Sequence, residues 1–505
     1  MTPRSCWWSW LPCAAAAALF ATCQNTRPGA EPAEASGTGA PGAALYHRHC
    51  AVCHGADGGG DTLVASLLVP RPTAFANGLF KLVGSKTGMP GEAELVAMLQ
   101  RGMPGSTMMA FDWLPEADLV ALAQHVRTLA VRGRATAIGN TAAAVGRALS
   151  PAEAQREAER QLQPGPAIEL SLDAPADQAT LAAGEALFTR HCANCHGQDG
   201  RGLPGSHEWP TDGTWLWPRD FTTGVLRGSP TVAELGKRIA AGMPGAHMPP
   251  TTLADAELRA LAVYTAAMIP EAARSQHVQW RRTLRVGRLP ALPADADTNG
   301  FAALEAVRLP LVPLRWRPDA CQELWLQAAH DGATLLLRLS WEDGSADLEP
   351  RPERRFGDGV AVQFADALDP PLFVMGSDAA PVRIWRWRTF DPKGTAGQLD
   401  LLTPPHGGLD VPIGRRQPAA TAELLTVAGL HSVGGATGSG VPLTANASWR
   451  DGRWTVTFRR PLRSDDDSFV PGQARLFALA VWDGSQDHDA SSKAIGTWHV
   501  LDLQP

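Results

Sequence analysis

The pattern Cys-x-x-Cys-His occurs twice in this chain of 505 residues, at Cys50-Ala51-Val52-Cys53-His54 and at Cys192-Ala193-Asn194-Cys195-His196. Two thiols at this spacing, with an imidazole directly behind them, are the attachment signal of a covalent haem. The thiols add to the two vinyl groups and the histidine is placed to bind iron. A chance thiol pair or a zinc site is the competing reading of a single copy. It loses its force here, because each copy lies inside the same longer repeat. Ala43-Ala44-Leu45-Tyr46-His47-Arg48-His49-Cys50 is answered by Glu185-Ala186-Leu187-Phe188-Thr189-Arg190-His191-Cys192, and both continue as Cys-His-Gly-x-Asp-Gly. Further on, Arg101-Gly102-Met103-Pro104-Gly105 is answered by Ala241-Gly242-Met243-Pro244-Gly245.

Each copy closes on a helical period, Leu119, Leu122, Val126 and Leu129 in the first and Leu258, Leu261, Val263 and Met268 in the second. Two α-helical units are therefore expected, at 41–132 and 176–272. The stretch 133–175 reads as a linker with one short helix, ended by Pro164-Gly165-Pro166.

The iron needs a second axial ligand from downstream. The first loop offers Met103, Met108 and Met109, and the second offers Met243, His247 and Met248. Aligning the repeats pairs Met108 with Met248, and these are the expected ligands. Met109 and His247 are the competitors, while Met103 and Met243 are read as packing on the haem edge. A thioether ligand favours Fe(II) and raises the potential. Each unit resembles class I cytochromes c over its whole length. The resemblance implies that Arg71 and Arg219, just before Phe75 and Phe221, pair with haem propionates; a plain surface arginine is the equal alternative.

After about residue 275 the period changes. Leu335–Trp341, Val360–Phe364, Val382–Arg388, Trp454–Phe458 and Leu476–Trp482 are short runs rich in β-branched and aromatic residues, bounded by Asp343-Gly344, Asp451-Gly452 and Asp483-Gly484. Most of the 17 Trp residues also fall here. The expectation is an antiparallel β-sandwich over 275–505. The fold class is thus multidomain, two all-α cytochrome c domains followed by an all-β sandwich.

Within this region, Asp358–Phe364, Pro371-Leu372-Phe373-Val374-Met375-Gly376-Ser377 and Val382–Trp387 come first. Val481-Trp482-Asp483-Gly484-Ser485, Ser492-Lys493 and Thr497-Trp498-His499-Val500 follow. In this order they resemble the haem b-binding γ subunit of ethylbenzene dehydrogenase and related periplasmic molybdoenzymes. The resemblance implies one non-covalent haem b held by Met375 and Lys493. Lys493 would bind as the neutral amine, which requires a pKa below the ordinary value of about 10.4. A buried core methionine and an exposed loop lysine are the bland readings of these two residues. His406, His431, His488 and His499 are alternative ligands. The same sandwich type also serves as a carbohydrate-binding module, which leaves a docking module without haem as the rival reading.

The N-terminus reads as an export signal, 1–23, followed by a linker, 24–40. Arg4 supplies the positive charge, and the apolar stretch from Cys6 to about Ala21 is too short for a membrane span. Phe20-Ala21-Thr22-Cys23 resembles a lipoprotein box, with Cys23 as the lipid anchor; plain cleavage is the alternative. With both haem motifs assigned, only Cys321 remains in the mature body and no disulfide framework is available. A net charge of −6 argues against nucleic acid as a partner.

Two covalent haems c and one haem b imply electron transfer outside the cytoplasm. By resemblance, the partners are a molybdopterin enzyme with an iron–sulfur subunit and a soluble or membrane cytochrome. No catalytic motif stands out, so the chain is read as an electron-transfer subunit and not as an enzyme itself. A haem enzyme with an open iron position is the alternative.

Overall fold

A computed structural model describes residues 41–170, 176–202, 207–208, 215–216, 218–274, 277–316, 320–348, 357–365, 376, 380–389, 422–428, 433–434, 443–464, 468–486 and 493–505. The sequence expectations for Cys23, Met375, His406, His431 and His488 fall outside them.

The first helical unit begins with α1 (Pro41–His49), which ends where the first thiol pair starts. It continues through α2 (Glu92–Arg101) to α3 (Glu116–Ala144). In α3, Leu119, Leu122, Ala123, Val126, Leu129 and Ala130 are buried on one face, and Glu116 and Asp118 sit in the first turn, where acidic groups suit the helix dipole. The helix does not stop at Gly133. A Cβ there would lie 2.4 Å from the Ala76 Cα, so this glycine is a point of close approach and not a terminus. The chain turns only at Gly146, in the left-handed region, and returns as α4 (Pro151–Gln161). Ser150 caps α4: its hydroxyl accepts from the Glu153 N–H, and its own N–H donates to the Glu153 carboxylate at 2.9 Å. The second unit repeats the plan with α5 (Gln178–His191), α6 (Val232–Ala241) and α7 (Asp255–Ala267).

The remainder is β structure. Among the described residues, one half-sheet carries Ala422–Val427, Val382–Arg388, Gly359–Ala365, Ala474–Trp482 and His499–Leu503 in that order, each pairing antiparallel with the next. The other carries Glu323–His330, Thr334–Glu342, Arg453–Pro461 and Thr444–Arg450, also antiparallel. Here the sequence expectation needs a correction. Strand Thr283–Arg288 pairs in parallel with both His499–Leu503 and Glu323–His330, and so joins the two halves. Those partners are far apart in sequence, and local alternation carries no information about such pairing.

The sandwich interior holds Trp341, Trp385, Trp387, Trp454, Phe364 and Phe458. Strand Gly359–Ala365 is buried on both faces. Val360, Val362 and Phe364 enter this interior, whereas Ala361 and Ala365 enter a second core shared with the first helical unit. At one end of the sandwich Asp343, Asp358 and Asp483 bring carboxyl oxygens within 4.8 Å of one another.

Candidate haem sites

The backbone of the first thiol motif coils into a short helix. The Cys53 and His54 N–H groups both donate to the Cys50 carbonyl, at 3.1 and 2.9 Å. Gly55 then leaves in the left-handed region, at φ 78°. This places Cys50, Cys53 and His54 on the wall of a cleft of about 680 Å³, which Met103, Met108 and Met109 also line. His54 Nδ1 lies 2.9 Å from the Thr73 carbonyl. That bond keeps the proton on Nδ1 and leaves the Nε2 lone pair for a metal. Phe75 stacks on the ring, 4.5 Å between centroids. Burial lowers His54 to about 4, so the ring is neutral at pH 7. Burial also pushes both thiols up to about 12.

Before the methionine loop of the same cleft, α2 ends at Gly102, φ 67°, where a Cβ would meet the Met109 backbone at 2.4 Å. The Met103 N–H donates to the Met108 carbonyl at 2.9 Å and closes the methionine loop. Met108 is half-buried in the cleft, and Met109 is buried. The Thr497 hydroxyl donates to Met109 Sδ at 3.2 Å.

The second unit reproduces these contacts. His196 Nδ1 lies 3.3 Å from the Arg219 carbonyl, and Phe221 stacks on the ring at 4.6 Å. The Met243 N–H donates to the Met248 carbonyl at 2.8 Å, matching the Met103–Met108 bond and supporting the alignment of Met108 with Met248. Its cleft, about 560 Å³, is lined by His196, Met243, Met248, Arg219, Arg227 and Arg238, among others. Cys192 and Cys195 are half-buried beside it, and burial raises Cys192 to about 11. His247, at φ 57°, closes the turn Pro244–Ala246 and is not among the residues lining the cleft.

The two arginines singled out in the sequence are not repeat partners. The carbonyl that fixes the imidazole belongs to Thr73 in one unit and Arg219 in the other. Both arginines nonetheless line their clefts. Arg227 and Arg238 carry no motif, and only the tertiary fold brings them to the site. Arg219 Nε and Nη1 and Arg227 Nε are buried without a hydrogen-bond partner. Burial lowers Arg227 to about 10 and Arg219 well below its ordinary value. Buried guanidinium donors without acceptors call for anionic oxygens, and the propionates of a haem fit them.

In the sandwich, Lys493 is buried, with Nζ 5.4 Å from the Trp482 ring centroid. A buried amine beside an aromatic ring is a donor that a lysine-ligated haem would use. His499 fits less well. Its Nδ1 accepts the Arg282 N–H at 3.2 Å, so the neutral ring carries its proton on Nε2 and has no lone pair there.

A thiol pair, an imidazole oriented through its far nitrogen and a thioether loop lining the same cleft, twice over, are the construction of an electron-transfer protein with covalent haem c. A family model described as cytochrome c matches residues 39–130 and 181–267, and one described as ethylbenzene dehydrogenase matches residues 420–494. These matches give the chain two cytochrome c domains and an ethylbenzene dehydrogenase-type domain, the make-up of a multihaem electron-transfer subunit. The second match includes Lys493 and begins beyond Met375.

Relatives agree. The γ subunit of dimethylsulfide dehydrogenase from Rhodovulum sulfidophilum is 29% identical over 39% of this chain and 66% of its own length. The γ subunit of chlorate reductase from Ideonella dechloratans is 25% identical over 54% of this chain and 95% of its own length. A protein described as a respiratory nitrate reductase haem subunit, from Haloferax mediterranei, is 29% identical over 42% of this chain and 69% of its own length. Among the described residues, no helix is long and apolar enough to cross a membrane.

Proposed function

We propose that this chain is a three-haem, extracytoplasmic electron-transfer subunit working between a molybdopterin oxidoreductase and a cytochrome partner. One haem c belongs to Cys50, Cys53, His54 and Met108, and the other to Cys192, Cys195, His196 and Met248. A haem b belongs to Met375 and Lys493. The observation that carries the reading is the matched geometry of the two clefts. In each, a carbonyl fixes the imidazole, and the same backbone bond closes a methionine loop that lines the same cleft.

A bound haem supplies a one-electron iron couple. The residues do the rest. His54 and His196 present Nε2. The four thiols anchor the group irreversibly, each S–H adding across a vinyl double bond with its hydrogen passing to the neighbouring carbon. Arg219 and Arg227 neutralise carboxylates in the second cleft. Phe75 and Phe221 stack on the imidazoles and keep water off them. Linking three units in one chain replaces diffusional encounter with a tethered one. The chain itself carries electrons and leaves substrate chemistry to its partner enzyme. That enzyme is expected to present an iron–sulfur subunit to the sandwich. The N-terminal segment directs export, with Cys23 as the lipid anchor.

Acid–acetone extraction followed by a pyridine haemochrome assay tests the reading. Two haems c that resist extraction for each haem b removed support it. Two haems c with nothing extractable reduce the sandwich to a docking module. Carbon monoxide binding to the reduced protein would instead reveal an open iron position and an enzyme.

A further inference from the structure

We infer that the first cytochrome unit is the middle of the relay, meeting the sandwich through Thr497 and the second unit through Arg219. This rests on the multihaem reading above and adds the order in which the centres communicate.

The sandwich reaches the first cleft by two short routes from Lys493. The Lys493 carbonyl accepts the Leu314 N–H at 3.0 Å, and the Leu314 carbonyl accepts the Val69 N–H at 2.8 Å. The next residues, Pro70 and Arg71, line the first cleft. Along the chain, Lys493 runs through Ala494, Ile495 and Gly496 to Thr497, whose hydroxyl donates to Met109 Sδ. Thr497 is 0% exposed and Met109 is 2% exposed, so this bond is shielded from water. It engages the thioether beside Met108 and holds it to the sandwich. Ile495 and Trp498 share a core with Met109, Phe111 and Leu99.

The second unit meets the first through the methionine loops. Met103 and Met243 form one small apolar cluster with Leu82, and Met108 and Met248 pack against it. The Arg219 guanidinium donates to the Gly105 carbonyl, inside the first loop, at 2.6 Å. The same side chain lies over the Trp316 ring, 4.2 Å from its centroid, and the Arg219 carbonyl fixes His196. The Gly245 N–H donates to the Phe80 carbonyl at 2.9 Å. Thr497 and Arg219 are positioning residues in this arrangement, acting on one methionine loop at Met109 and at Gly105. Each step of the relay moves one electron. The donor unit is oxidised by one and the acceptor reduced by one, in either direction, without a proton. External one-electron protein partners close the balance.

The test uses the haem-loaded full chain. Met108→His and Met248→His each lower the midpoint potential of their own haem and so assign it. Thr497→Val is then expected to shift the midpoint and the near-infrared methionine–iron band of the Met108 haem alone, with Thr497→Ser restoring both. Arg219→Gln is expected to move the midpoints of both haems c. After flash reduction by a deazaflavin radical, Met108→His is expected to slow exchange between haem b and the Met248 haem at least tenfold. The inference is overturned if Thr497→Val shifts the Met248 haem or neither haem, if Arg219→Gln acts on one haem only, or if Met108→His leaves that exchange unchanged. A chain carrying no haem c would instead sink the multihaem reading. A chain with two haems c and no haem b would overturn the relay order together with the haem b assignment, and leave the two-haem c reading standing.

Discussion

At the scale of single residues, the choice between Met108 and Met109 rests on which thioether is free to face the imidazole. Met109 Sδ already accepts a hydrogen bond from Thr497, and the Met108 carbonyl is held by the bond that recurs at Met248. Met108→Leu is therefore expected to abolish the near-infrared methionine–iron band of one haem c and lower its potential, while Met109→Leu keeps the band. Gly102 sets up the same loop. Gly102→Ala places a side chain at φ 67° and against the Met109 backbone, so a loss of more than about 1 kcal/mol of stability is expected from thermal unfolding. The attachment residues were legible in the sequence because five adjacent positions carry the whole signal. Arg227 and Arg238 were not, because α6 and the turn before it meet the cleft only after folding. Arg219 was visible only as an arginine near a phenylalanine, and its position as the repeat partner of Thr73 needed the coordinates.

At the scale of elements, the strands at 335–341, 360–364, 382–388, 454–458 and 476–482 were readable, because alternation reports which face is buried. Asp451-Gly452 was equally readable. Both residues take positive φ and close the hairpin between Thr444–Arg450 and Arg453–Pro461. The length of α3 was not readable, since its apolar period closes at Leu129 while the helix runs on to Ala144 past Gly133, a packing contact. The interior tryptophans hold the sandwich together. Trp385→Ala, at 0% exposure, is expected to cost about 3–5 kcal/mol in denaturant unfolding of the sandwich.

The carboxylate cluster gives the sandwich a pH dependence. Burial, then Asp358 and Asp483, push Asp343 from 3.8 up to about 8. Between those values the folded state holds a proton that the unfolded chain has lost. This contribution to stability is full below pH ~4 and gone by pH ~8. Asp343→Asn is expected to flatten the fall in melting temperature between pH 5 and 8.5. An unchanged slope would place the titration elsewhere.

At the scale of the whole molecule, two repeated units and a sandwich share cores and hydrogen bonds and do not hang on loose tethers. Ala361 and Ala365 of strand Gly359–Ala365 belong to the same core as the first cytochrome unit, and Arg219 touches all three parts. The three parts were foreseeable from the sequence. Their contacts were not, because residues such as Thr497 and Met109 are 388 positions apart and neither carries a local signal of the other. The central claim is that this chain carries two haems through Cys50, Cys53, Cys192 and Cys195, and the most direct measurement is the intact mass of the protein expressed with a haem-attachment system. The expected result is a chain heavier by two haems, with these four thiols closed to alkylation. A chain at its polypeptide mass with the four thiols open would contradict it.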